Sequence, residues 1–108
     1  MLNPFSLFFL SLALIESNDI LNRKNEIKSF VATAKLELAV KRCIDFYRDF
    51  ESEDDDDVIL LSTTYYQILD KEKKGLWSID EVMVRQQQLA RRILQIIKDI
   101  TNNYATAA

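Results

Sequence analysis

The chain has 108 residues, enough for one domain with a single modest core. Its formal charge of −3 and its balance of 48% apolar to 29% charged residues are those of a soluble globular chain and give no argument for a nucleic-acid partner. It has no His and one Cys, which removes the commonest general base and metal ligand, any intramolecular disulfide and any thiolate metal cluster.

One Gly and one Pro leave few helix breakers, so the composition predicts an all-α fold. The pattern is that of a compact antiparallel bundle of about four helices, with an extra apolar helix at the N-terminus. Residues 1–15 read MLNPFSLFFLSLALI, and from Pro4 onward only Ser6 and Ser11 interrupt the apolar run. That run is well short of the roughly 20 residues a helix needs to span a bilayer. It lacks the basic flank of a signal peptide, and no small-residue cleavage site follows. Three readings stand: a helix packed on the domain or on a partner chain, a membrane-surface segment, and an extension foreign to the domain. Each must hide Phe5, Phe8, Phe9 and Leu12 from water. Residues 16–25, ESNDILNRKN, read as a linker or a frayed helix end. A cytoplasmic chain is expected, because no disulfide framework is present, with membrane association through residues 1–15 as an option.

The domain proper is expected over residues 26–101. Ile27, Phe30 and Val31 fall on one face of a short helix. A tight turn at Ala34 and Lys35 separates it from a helix over 36–50, although one continuous helix also fits. On the second helix Leu36, Ala39, Val40, Cys43, Tyr47 and Phe50 form the stripe, and Glu37 with Lys41 makes a favourable i, i+4 pair. Residues 51–57, ESEDDDD, hold six of the 17 acids; without them the chain carries 14 bases against 11 acids. Like charges repel, so this is a solvated loop. It lacks the Gly and Glu that a calcium loop places at its sixth and twelfth positions. Asp56 or Asp57 suits the cap of the next helix.

In the stretch VILLSTTYYQILDKEKKGLWSIDE, Val58, Leu61, Tyr65, Ile68, Leu69 and Glu72 recur at helical intervals. Gly75 supplies a left-handed stop. Ser78 and Glu81 form a capping box for the following helix, and Leu76 and Trp77 are the apolar plug of the corner between them. The last helix carries Val82, Leu89, Ile93, Ile96, Ile97 and Ile100 as its stripe and ends near residue 101, before a frayed tail over 102–108.

Val58, Ile59, Leu60, Leu61, Ser62, Tyr65, Glu72, Gly75, Ser78 and Glu81 resemble the signature of the bacterial effector-associated domains of the eleventh class. These are small, death-like helical modules of conflict systems. Ile68 and Trp77 stand where that pattern has Leu and Ile, Ala34 stands where it has a turn Gly, and Gln87 and Gln88 stand where it often has Asn and Arg. The resemblance covers about residues 26–101. It implies a non-enzymatic adaptor that links an effector to a sensor or a signalling NTPase, by contact with a partner carrying a related domain, in bacterial immunity or programmed cell death. Two other readings stay open: a small membrane-directed effector that uses residues 1–15, and a subunit of a structural homo-oligomer.

No catalytic constellation accompanies these residues, and no cofactor is expected. Paired carboxylates occur only in the acidic run, where nothing desolvates them, and Ser62 has no base. The candidate contacts are therefore on the surface. The acids Glu53, Asp54, Asp55 and Asp56 of one copy or partner are expected to meet a basic face of Lys41, Arg42, Arg91 and Arg92. Glu72, on the apolar side of its helix, is expected to pair with Arg85 or with an Arg of the last helix. Gly75, Ser78 and Glu81 are expected as caps.

Overall fold

The computed structural model describes residues 4–50 and 56–107, and among them the side chains of 18–50, 56 and 58–103. Four helices follow one another: α1 (Pro4–Ala32), α2 (Leu36–Phe50), α3 (Asp56–Lys73) and α4 (Ile79–Ala107). The described residues contain no strand. α2 packs against the other three helices, and α4 also meets α1 and α3, whereas α1 and α3 do not meet among the described residues.

The core is the sum of one stripe from each helix. Ile20 and Ile27 come from α1; Leu36, Ala39, Val40, Cys43 and Phe46 from α2; Val58, Leu61 and Ile68 from α3; and Val82, Leu89, Ile93, Ile97 and Ile100 from α4. These positions repeat at three, four and seven residues, as a helix burying one face requires. Phe46 is fully buried and is the largest such side chain, whereas Tyr47 and Phe50, expected on the α2 stripe, are only partly covered. Ile96 and Leu69 are likewise half-buried at the edges of their stripes.

The stretch expected as a linker or a frayed helix end is continuous helix. Residues 16–25 lie inside α1, which joins the N-terminal run and the expected short helix over 26–33 into one element. No Gly or Pro interrupts it after Pro4, and Pro is tolerated in the first turn, where its missing N–H costs nothing. Ile20 and Ile27, seven apart, give the polar stretch a buried face. Arg23 fixes it to α2: its guanidinium is 2.6 Å from Asp49 and 5.4 and 5.5 Å from the ring centres of Phe46 and Phe50. The tail is helical too, since α4 runs to Ala107.

The α1–α2 and α3–α4 corners use one backbone device. At Gly75, φ is +65°. Its N–H donates to the Glu72 carbonyl at 3.1 Å, and the Leu76 N–H donates to the Lys71 carbonyl at 3.0 Å. This is a Schellman stop. Ala34 repeats it at φ 59°, with its N–H donating to Val31 at 3.1 Å and the Lys35 N–H to Phe30 at 2.8 Å. The turn that separates α1 from α2 thus keeps its geometry with Ala where the signature has Gly, at the cost of a Cβ in the left-handed region.

Candidate interaction surface

The N-cap of α4 is half of the expected box. The Glu81 N–H donates to Ser78 Oγ at 3.1 Å. The Glu81 carboxylate does not return to the Ser78 amide. It accepts from Arg85 Nε at 2.8 Å, one turn further on. A charge-assisted bond to a guanidinium outweighs a neutral amide in that choice. Arg85 itself lies over the Trp77 ring, 5.2 Å from its centre. Trp77 packs against the core as expected, but Leu76 is 59% exposed and does not plug the corner.

Glu72 is exposed, not turned to the core, and Arg85 is held by Glu81 instead. Position 72 lies in the last turn of α3. Of the four bases expected to form one face, Lys41 and Arg42 lie on α2 and Arg91 and Arg92 on α4. Arg42 Nε is 3.1 Å from Glu26 of α1. Lys41 Nζ is 3.3 Å from Glu37 on its own helix. Those two groups also act on the Tyr65 hydroxyl of α3: burial pushes its pKa up, Glu37 adds to the rise and Lys41 opposes it. Arg92 lines a groove between α3 and α4, and Arg91 is exposed on α4. Of the acids, Asp56 is exposed as the first residue of α3, while Glu53, Asp54 and Asp55 lie outside the described residues. Phe5, Phe8, Phe9 and Leu12 lie on the helical backbone of α1, but their side chains are outside the described set.

Two grooves flank α4. The first, of 320 Å³, lies between α3 and α4 and is walled by Thr64, Gln67, Trp77, Arg85, Gln88 and Arg92 over Ile68 and Leu89. Its polar lining is the Thr64 hydroxyl, the Trp77 indole, the amides of Gln67 and Gln88 and the guanidiniums of Arg85 and Arg92, a set suited to carboxylates or backbone carbonyls. The second, of 200 Å³, lies where the α1–α2 turn meets α4 and is lined by Val31, Ala34, Leu36, Met83, Gln86, Gln87 and Ala90. Its floor is apolar and it is open to solvent. Met83 is 51% exposed, and Ile79, one turn before it on the same face, is 81% exposed. Sequence reasoning missed this patch, although Ile79 and Met83 stand at i and i+4 outside the core stripe.

Cys43 is fully buried, and burial pushes its thiol pKa up to about 12, so it is an inert apolar side chain of the core. No group of acids, His or Cys able to hold a metal ion occurs among the described residues. No helix among them is long and apolar enough to cross a membrane. A family model described as effector-associated domain 11 matches residues 22–101, well over half of the chain, beginning inside the stretch expected as a linker. No curated protein and no solved structure matches the chain.

Proposed function

Because the chain belongs to the effector-associated domain 11 family, we propose that it is a non-enzymatic adaptor. It brings an effector to a sensor or NTPase through contacts between helical domains, in the cytoplasm, as part of a bacterial immune or cell-death system. The observation that carries this reading is the family match itself, which runs from the Arg23 clamp on α1 to the end of the α4 core stripe. The surface supports it. Large apolar side chains stand in water at Ile79 and Met83, which adjoin at i and i+4 on α4, and Met83 lines the apolar groove beside the α1–α2 turn; an apolar patch of this kind is what a protein contact covers. The acidic residues 51–57 raise the rate of encounter with a basic partner and fade with salt.

The test is pairwise binding, by calorimetry, between this chain and the effectors and NTPases of its own genome that carry a related domain. A saturable complex with one effector and one sensor is expected. Absence of binding to every one of them refutes the adaptor.

A further inference from the structure

Arg85 is held from two sides. Its Nε–H donates to the Glu81 carboxylate at 2.8 Å, and its guanidinium lies 5.2 Å from the centre of the Trp77 ring. The Glu81 bond engages Nε and leaves the two terminal amino groups, the edge that takes a carboxylate end-on through two parallel bonds. A guanidinium fixed in this way has little freedom left to lose on binding.

The placement of that pair gives the groove between α3 and α4 a sign. Arg85 and Trp77 line the groove and Glu81 does not, so the ion pair turns its positive member inward. Arg92, which also has an interaction within the molecule, stands two turns further along the same wall. No carboxylate is among the described residues that line the groove, in a chain whose formal charge is −3. Gln67 and Gln88 add amide N–H groups above the floor of Ile68 and Leu89. From Arg85 to Arg92 the wall runs about 10 Å, the length of about three extended residues.

This lining asks for three things together: a carboxylate for Arg85, carbonyls for the two amides, and an apolar side chain for Trp77 and the floor. A peptide combines them and a small anion does not. A nucleic acid would bring a row of phosphates to an acidic chain that has one short basic strip to neutralise them. We infer that the α3–α4 groove binds a short acidic segment of a protein partner, an Asp or Glu seated on Arg85 and an apolar neighbour against Trp77. The inference rests on the adaptor reading, whose partner it describes by chemistry.

Selection of a random peptide library, displayed on phage, against the full-length chain tests it. Enrichment of sequences that pair an acid with an apolar residue is expected, and fluorescence polarisation then measures the selected peptide. Arg85→Gln is expected to weaken it about ten- to a hundredfold. Arg85→Lys is expected to recover only part, because an ammonium lacks the paired donors. Arg91→Gln removes the same charge from an exposed position of α4 outside the groove, and is expected to leave binding unchanged. Position 85 is exposed, and circular dichroism verifies that each variant folds. Enrichment of neutral or basic sequences, or no enrichment, overturns the inference. An equal loss with Arg91→Gln overturns it in favour of diffuse charge attraction. A single-stranded oligonucleotide that displaces the peptide at lower concentration overturns it in favour of nucleic acid, and a wild type that self-associates until Arg85 is replaced overturns it in favour of a second copy. The adaptor reading fails separately: a cognate effector that binds the wild type and Arg85→Gln equally removes the groove alone, whereas an acidic peptide held by Arg85, with no cognate partner bound, removes the adaptor alone.

Discussion

Replacing Ala34 with Gly stabilises this protein, and replacing Gly75 with Ala destabilises it by a similar amount. Both residues occupy the left-handed position of a Schellman stop, at φ 59° and +65°. Holding a Cβ there costs about 1 to 2 kcal/mol. Glycine returns part of that, about 0.5 to 1 kcal/mol, because its unfolded chain has more freedom to lose. The net gain for Ala34→Gly is about 0.5 to 1 kcal/mol, or a rise in Tm of about 3 to 5 °C for a domain of this size. A Cβ built on Gly75 meets nothing within 4 Å, so the loss on Gly75→Ala is a backbone effect with no steric part. Thermal and urea unfolding of both single variants measures the pair, with the m-value unchanged. A fall in Tm for Ala34→Gly, or no fall for Gly75→Ala, refutes the assignment of these two turns.

Arg23→Ala is expected to cost about 1 to 2 kcal/mol, from one ion pair and two ring contacts at a half-covered site, and Arg23→Lys to recover only part, because a point charge does not stack; urea unfolding measures both. Ser78→Ala is expected to cost about 1 kcal/mol through the lost cap, whereas Glu81→Gln costs no more than about 0.5 kcal/mol, since the carboxylate holds Arg85 and not the Ser78 amide; the same unfolding assay separates them. Cys43 makes stability depend on alkaline pH. Its folded pKa is raised from 9.0 to about 12, so its contribution is complete below pH 9 and is lost as pH rises from 9 toward 12, with a slope approaching about 1.4 kcal/mol per pH unit. The stability difference between the wild type and Cys43→Ala is expected to shrink across that window. The native thiol is expected to resist a thiol reagent at neutral pH until the chain unfolds.

The sequence by itself determined what local physics governs. Helix stripes at i, i+3 and i+4, the stop at Gly75, the cap at Ser78 and the turn at Ala34 each depend on residues within one or two helical turns, so a reader of the chain finds them without its fold. The family signature around Tyr65, Gly75 and Ser78 is legible for the same reason. Tertiary structure decided what depends on distant neighbours. Residues 16–25 look like a linker until α2 supplies Asp49, Phe46 and Phe50 for Arg23 and a core for Ile20. Phe46 and not Tyr47 is the fully buried ring of α2, a choice that depends on the three helices packed against α2. Lys41, Arg42 and Arg92 carry like charge in the sequence but meet different surroundings: Glu37 with α3's Tyr65 nearby, Glu26 of α1, and the α3–α4 groove. That the apolar run and the apolar groove lie at opposite ends of α1 follows from one fact no periodicity reveals, namely that a single unbroken helix carries both the run and Val31.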